Sequence, residues 1–157
     1  MSKDIAGLVQ TSLNLGILST IKPDDQSTNG MVSFKSSVRS SIGSEKDALL
    51  NSLKSLATLA GGTLTVTGDY PAWEYREDSP LRDLMVKIFK QQYGKEPVIQ
   101  ALHAGVECGI FASKLPGLDC VSFGPDMDDI HTTNESMNVE SVRRTWEYTL
   151  EILKELK

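Results

Sequence analysis

Apolar residues recur at two different periods along this chain, and where the period switches limits the folds it can adopt. From Thr11 to Thr20, Leu13, Leu15 and Ile17 alternate with polar or small residues, the period of two expected of a half-buried strand. The stretch from Lys22-Pro23-Asp24-Asp25 to Asn29-Gly30 is dense in turn formers, and alternation resumes from Met31 to Ser40 with Val32, Phe34, Ser36 and Val38 on one face. Two antiparallel strands are predicted. The spacing then becomes helical: Ser44 reads as an N-cap with Asp47 three residues on, and Ala48, Leu49, Leu53, Leu56, Ala57 and Ala60 follow until Gly61-Gly62 ends the run. Thr63 to Thr67 is β-branched enough for a third strand. The order strand, strand, helix, strand describes part of a small antiparallel sheet with one helix on a face.

Gly68 to Asp78 reads as a connector, with Gly68, Pro71 and a cluster of charges, and a domain boundary is expected near Asp78. Residues 1–78 would form one partial domain and 79–157 a second. Ser79-Pro80 sets a helix start with proline at its first position, and Leu81, Leu84, Met85, Ile88, Phe89 and Tyr93 form a stripe that Gly94 terminates. Pro97 to Leu102 reads as a short strand, Gly105 to Lys114 as a helix, and Leu118 to Phe123 as a buried strand. A long closing helix from Asn138 carries Val139, Val142, Trp146, Leu150 and Leu153. Alternating helix and strand implies α/β layering around a mainly parallel sheet.

The composition narrows the function classes. Of 157 residues, 39% are hydrophobic and 24% charged, which is enough apolar material for a core and too much for a disordered chain. The net charge of −5 and the lack of any Lys/Arg stripe argue against nucleic acid as a partner. No segment approaches the roughly 18 consecutive apolar residues of a spanning helix, and Met1-Ser2-Lys3-Asp4 lacks the features of a signal peptide, so the expectation is a cytoplasmic protein off the membrane. Cys108 and Cys120, twelve positions apart among apolar neighbours, fit neither a close-spaced zinc pair nor a disulfide framework and read as buried thiols.

The two histidines each lie just beyond a predicted strand, where loops of α/β sheets carry ligand-binding groups. His131 sits in the loop Gly124-Pro125-Asp126-Met127-Asp128-Asp129-Ile130-His131-Thr132-Thr133-Asn134-Glu135. A neutral imidazole is a common zinc ligand and nearby carboxylates can orient it, although a lone histidine in an acidic loop is more often simply solvated. The Asp126 and Asp128 pair does not make a calcium loop, because Ile130 stands where the third oxygen ligand belongs and His131 where the glycine belongs. In Leu102-His103-Ala104-Gly105-Val106-Glu107-Cys108-Gly109, small residues around a histidine and a glutamate allow close backbone approach at a helix N-terminus. Plain helix capping and tight helix contact account for the same pattern.

Together, His103-Ala104-Gly105-Val106-Glu107-Cys108-Gly109 and the Gly124 to Glu135 loop, separated by a strand and followed by a long helix, resemble the C-terminal signature of the aminoacyl-histidine dipeptidases. This is the peptidase D type of Xaa-His dipeptidase, a relative of the carnosinase and carboxypeptidase G type of two-zinc metallopeptidases. Tyr70-Pro71-Ala72-Trp73 adds to the likeness. The resemblance implies a fold: a partial lid domain (antiparallel sheet plus helix) over residues 1–78, then the C-terminal part of an α/β/α zinc-peptidase catalytic domain over 79–157. It implies His131 as the last metal ligand in chain order, Glu107 at the acidic position of a substrate pocket also lined by His103 and Gly105, and Glu135 as support for the His131 loop. It further implies two zinc ions per full-length active site, a dipeptide substrate, and a homodimer formed through the lid.

The family's remaining ligands precede the lid: a His-x-Asp motif, a bridging aspartate, a Glu-Glu pair that includes the general base, and a further acidic ligand. None of these motifs occurs here, so this chain would hold no catalytic base and would retain little zinc and no activity alone. Related carboxypeptidases place an arginine before the proline of the lid's exit segment to hold a substrate carboxylate, whereas Tyr70 precedes Pro71 here, leaving Arg39 and Arg76 as candidates. An aminoacylase or carboxypeptidase of the same superfamily remains open, as does a non-catalytic module that dimerises through exposed strands.

Overall fold

A computed structural model describes residues 1, 2, 5, 7–22, 30–101 and 106–157. Its elements are β1 (Thr11–Ile21), β2 (Met31–Ser40), α1 (Gly43–Leu59), α2 (Pro80–Tyr93), α3 (Glu107–Lys114), β3 (Met127–Asp128), β4 (Ser136–Met137) and α4 (Val139–Glu155). They fall into two compact units, one of Met1–Tyr75 with Ala101–Lys114, the other of Arg76–Gln100 with Leu115–Lys157. The fold is mixed α and β, and among the described residues both ladders are antiparallel and two-stranded, β1 with β2 and β3 with β4.

In the first unit the alternating pattern does form a hairpin ribbon, with Thr11 opposite Ser40 and Ile21 opposite Met31. The register slips by one between Leu15 and Ile17, which leaves Gly16 as the extra residue of a β-bulge. Partners across a ladder share a face, so Leu13, Leu15, Leu18 and Thr20 line the side carrying Val38, Ser36, Phe34 and Val32. Ile17, grouped with Leu13 and Leu15 from its spacing, pairs with Lys35 on the opposite face instead. The apolar face is open, with Phe34 65% exposed.

The turn from β2 into α1 is closed by Ser40, whose hydroxyl donates to Ile42 O and accepts from Ile42 N. The helix therefore starts at Gly43 with Ile42 as its N-cap, and Ser44, expected to cap it, lies inside the first turn. A distant residue takes over the capping, since Gly43 N donates to Glu74 Oε1 at 3.0 Å. At the other end Gly61, at φ 73, lets its own N–H reach Thr58 O and that of Gly62 reach Ala57 O, the double closure that ends a helix and uses its last carbonyls. Residues 63–67 form no ladder, because a β-branched segment becomes a strand only beside a neighbour and none of the described residues supplies one.

The second unit is organised by α2 and α4. Ser79 caps α2 by accepting from Arg82 N, Pro80 occupies its first turn, and Gly94 closes it in the left-handed conformation. Met85 and Ile88 pack on Tyr148 and Ile152 of α4, with Leu81, Leu84, Phe89, Tyr93 and Val121 around them. The Tyr148 hydroxyl donates to Met85 O at 2.6 Å, and its ring meets Phe89 and Phe123 edge-on at 5.7 and 5.4 Å. Burial, with Tyr93 beside it, holds this phenol above its ordinary pKa. Asn138 caps α4 by accepting from Ser141 N. The apolar residues Val139, Val142, Trp146, Leu150 and Leu153 of this helix are exposed, with Trp146 at 63%. Its buried face, which holds Ser141, Tyr148 and Ile152, meets α2 through Tyr148 and Ile152.

The expected buried strand at 118–123 runs without ladder partners, although Val121 and Phe123 pack on the core. No strand forms at 97–101 either, and Leu102 and Gly105 lie outside the described residues. The mainly parallel sheet is therefore not formed among the described residues. Asp119 anchors the 118–123 segment to α2, its carboxylate accepting from Ser79 Oγ at 2.7 Å and Leu81 N at 2.9 Å. Burial opposes its charge, but those two bonds and the guanidinium groups of Arg76 and Arg82 outweigh it and lower the carboxyl pKa from 3.8.

Tyr148→Phe keeps the ring contacts and removes the bond to Met85 O, so chemical denaturation should read a loss of about 1 kcal/mol. Because the folded Asp119 carboxyl has a depressed pKa, its contribution is present above pH 3.8 and is lost as pH falls through the lower folded value. Asp119→Asn should therefore cost roughly 1 kcal/mol at neutral pH, and the difference from wild type should shrink in acid denaturation below about pH 4.

Candidate functional site

His131 stands at the tip of the β3–β4 hairpin, in the second unit. The ladder is only two pairs long, Met127 with Met137 and Asp128 with Ser136. Its turn is built from local bonds: Thr132 N and Oγ1 both donate to Asp129 O, Glu135 N donates to Thr132 O, and Asn134 N donates to Thr132 Oγ1. Asp129 and His131 both adopt positive φ, 53° and 67°, a conformation that side chains other than glycine disfavour. The Glu135 carboxylate accepts from His131 N at 2.8 Å and so braces the strained residue through its backbone. The imidazole is exposed and hydrogen-bonds none of the described residues. Such a ring, presented on a hairpin tip with its backbone fixed, can donate a nitrogen lone pair to a metal.

The base of this hairpin is tied to α4 by residues that sequence reasoning did not single out as functional. Asp126 N donates to Ser141 Oγ at 2.8 Å, Asn138 N donates to Asp126 O at 3.0 Å, and Arg144 pairs with the Asp126 carboxylate at 3.0 Å. The Asn138-Val139-Glu140-Ser141 spacing is a capping signal that could have pointed to this contact. Asp126, one of the carboxylates compared with a calcium loop, is thus paired with a guanidinium.

The other predicted site residues belong to the first unit or lie outside the description. His103 and Gly105 lie outside the described residues. Glu107 is exposed in the first turn of α3. This helix is seated on the Tyr70-Pro71-Ala72-Trp73 segment through Gly109, where a Cβ would come within 3.0 Å of Pro71 O and 3.3 Å of Trp73 Cβ. The same segment is held from α1 by Lys46, whose ammonium donates to Asp69 Oδ1 at 2.7 Å and to Tyr70 O at 2.5 Å and lies 5.9 Å from the Tyr70 ring centre. Sequence reasoning missed Lys46, since one lysine on a polar helix face carries no spacing signal.

Of the two arginines considered for a substrate carboxylate, Arg76 is engaged, donating to Asp78 O at 2.6 Å and Gly117 O at 3.0 Å. Arg39 is exposed on β2 opposite Ser12. Cys108 and Cys120 form no disulfide and are half-buried, less covered than the buried thiols expected from their apolar neighbours. Among the described residues no three His, Cys, Asp or Glu side chains come together in a way that could hold a metal, so His131 offers one coordination position and these residues do not complete a site. No helix among them is long and apolar enough to cross a membrane.

Comparison with known proteins gives this geometry a context. The sequence profile of peptidase family M20/M25/M40 matches residues 8–155. The cytosol non-specific dipeptidase of Escherichia coli (strain K12) is 36% identical over 156 residues, which is 99% of this chain and 31% of that protein. The crystal structure of aminoacylhistidine dipeptidase from Vibrio alginolyticus superposes with a TM-score of 0.83 at 33% identity, covering 99% of this chain and 30% of that one. Aminopeptidase PepT from Bacillus cereus ATCC 10987 shares the fold, with a TM-score of 0.72 at 22% identity over 93% of this chain and 40% of that one. The chain thus spans about a third of the length of these relatives.

The seat of α3 can be tested directly. Gly109→Val should destabilise the first unit by about 1–3 kcal/mol, because the atoms it would meet include backbone that cannot swing aside. Urea denaturation followed by Trp73 fluorescence, in a Trp146→Phe background, should show the shift in midpoint.

Proposed function

Because the chain belongs to peptidase family M20/M25/M40, we propose that it is the C-terminal portion of a zinc-dependent dipeptidase that hydrolyses Xaa-His dipeptides with a metal-activated water. The observation that carries this reading is the match along nearly the whole chain to dipeptidases about three times its length. Residues 1–78 act as part of a lid and residues 79–157 as the end of the catalytic domain. His131 supplies one metal ligand from its hairpin, and Glu135 holds the backbone beneath it. His103, Gly105 and Glu107 line the substrate pocket.

When bound, zinc supplies Lewis acidity that makes water a nucleophile near neutral pH and polarises the scissile carbonyl. This chain's part is to present the imidazole and to shape one wall of the pocket. The proton-accepting base and the remaining ligands belong to a preceding part of a longer chain. On that division of labour the 157-residue chain is inactive by itself. The open apolar ribbon of β1 and β2 suits a lid that forms a homodimer, and the name of the Escherichia coli relative favours a cytoplasmic location.

A second reading concerns specificity. The same relative is named a non-specific dipeptidase, which favours cleavage of dipeptides beyond those ending in histidine. A substrate panel on the family-length protein separates the two: Xaa-His peptides should be cleaved with the highest kcat/KM under the first reading, and comparable values for unrelated dipeptides would favour the second. Acylamino acids or longer peptides as preferred substrates would move the protein to an aminoacylase or carboxypeptidase role.

In that same protein, His131→Ala should lower activity by more than about 100-fold, beyond the 10–100-fold typical of partners outside the ligand shell. Elemental analysis should find less than one zinc per 157-residue chain, and incubation with dipeptides should give no turnover. Stoichiometric zinc together with turnover would refute the division proposed here.

A further inference from the structure

The β3–β4 hairpin has too little ladder to hold its own shape. Two residue pairs join its strands, and an isolated two-stranded hairpin is marginal in water even when longer. Its tip nevertheless keeps Asp129 and His131 at positive φ, so the surroundings must over-determine that conformation. At the base, both backbone groups of Asp126 are used: its N–H donates to Ser141 Oγ at 2.8 Å and its carbonyl accepts from Asn138 N at 3.0 Å. Ser141 is only 3% exposed, and its hydroxyl also donates to Asn138 O at 2.6 Å. One buried hydroxyl therefore ties both ends of the hairpin together. The flanking pair of Arg144 and Asp126 is exposed at both partners and contributes less.

From this arrangement we propose that Ser141 is a positioning residue for His131, a role that rests on reading His131 as a metal ligand. Helix capping does not account for the hydroxyl. The cap of α4 is the Asn138 side chain accepting from Ser141 N, and that bond survives removal of Ser141 Oγ. Ser141→Ala thus leaves the helix start intact and releases the hairpin base.

Amide hydrogen exchange on the 157-residue chain tests the hold itself. Thr149→Ala serves as control, because the Thr149 hydroxyl donates only to Thr145 O within the same helix. In Ser141→Ala, the amides of His131 and Asn138 should exchange about tenfold faster, the factor for one lost hydrogen bond. Those of Tyr148 and Ile152 should match the control. Unchanged exchange at His131 overturns the proposal, and so does equal acceleration in hairpin and helix, since the hydroxyl would then serve the helix alone.

Zinc retained after dialysis of the family-length protein, measured by elemental analysis, tests the consequence. Ser141→Ala should retain zinc about tenfold more weakly than wild type, the lower end for an outer partner of a ligand, and His131→Ala should lose the ion from that position. If His131→Ala loses zinc while Ser141→Ala keeps it at the wild-type level, positioning by Ser141 is overturned although the ligand reading stands. If His131→Ala retains all of its zinc, the ligand reading falls and the positioning role falls with it.

Discussion

The contact between Tyr148 and the carbonyl of Met85 joins two helices that are far apart in sequence and pack on one small buried core. Four side chains, Met85, Ile88, Tyr148 and Ile152, make up the buried apolar centre of the second unit, so the packing term is small and directional bonds matter more than usual. The phenol supplies ring area to Phe89 and Phe123 and at the same time uses its hydroxyl, which would otherwise be a buried polar group without a partner. Fixing α4 against α2 in this way sets the direction of its first turn. That turn carries Asn138 and Ser141, and through them the hairpin with His131.

Local signals were legible in the sequence and non-local ones were not. Ser79-Pro80 and Gly94 bracket α2 as their capping chemistry demands, and the alternation around Leu13 and Phe34 gave the ribbon. Ser44 misled because Ser40 closes the turn earlier and Glu74, thirty-one residues away, takes the free amide of Gly43. Thr63–Thr67 and Leu118–Phe123 have the composition of strands, but composition cannot provide a neighbour to pair with. For α4 the helical period was legible, but periodicity alone does not say that Tyr148 and Ile152 are the side chains that face α2.

The site divides along the same line. Position and residue type made His131 and Glu107 candidates, and the structure places the first on an exposed hairpin tip and the second in the opening turn of α3. The backbone strain at Asp129 and His131, the brace from Glu135 and the tie through Ser141 follow from torsion angles and distances that no spacing rule encodes. Lys46 belongs with these, since its importance lies in what it reaches: Asp69, the Tyr70 carbonyl and the Tyr70 ring.

Gly16 adds a residue to β1 that has no counterpart in β2, and it does so with the smallest side chain available. Take it away and the remaining letters, Leu13-Asn14-Leu15-Ile17-Leu18-Ser19-Thr20, alternate without a break on the faces they already occupy. The strand can therefore lose this one residue while every other side chain stays on its side. A deletion two or three positions away would also remove the bulge, but the residues between it and Gly16 would change faces.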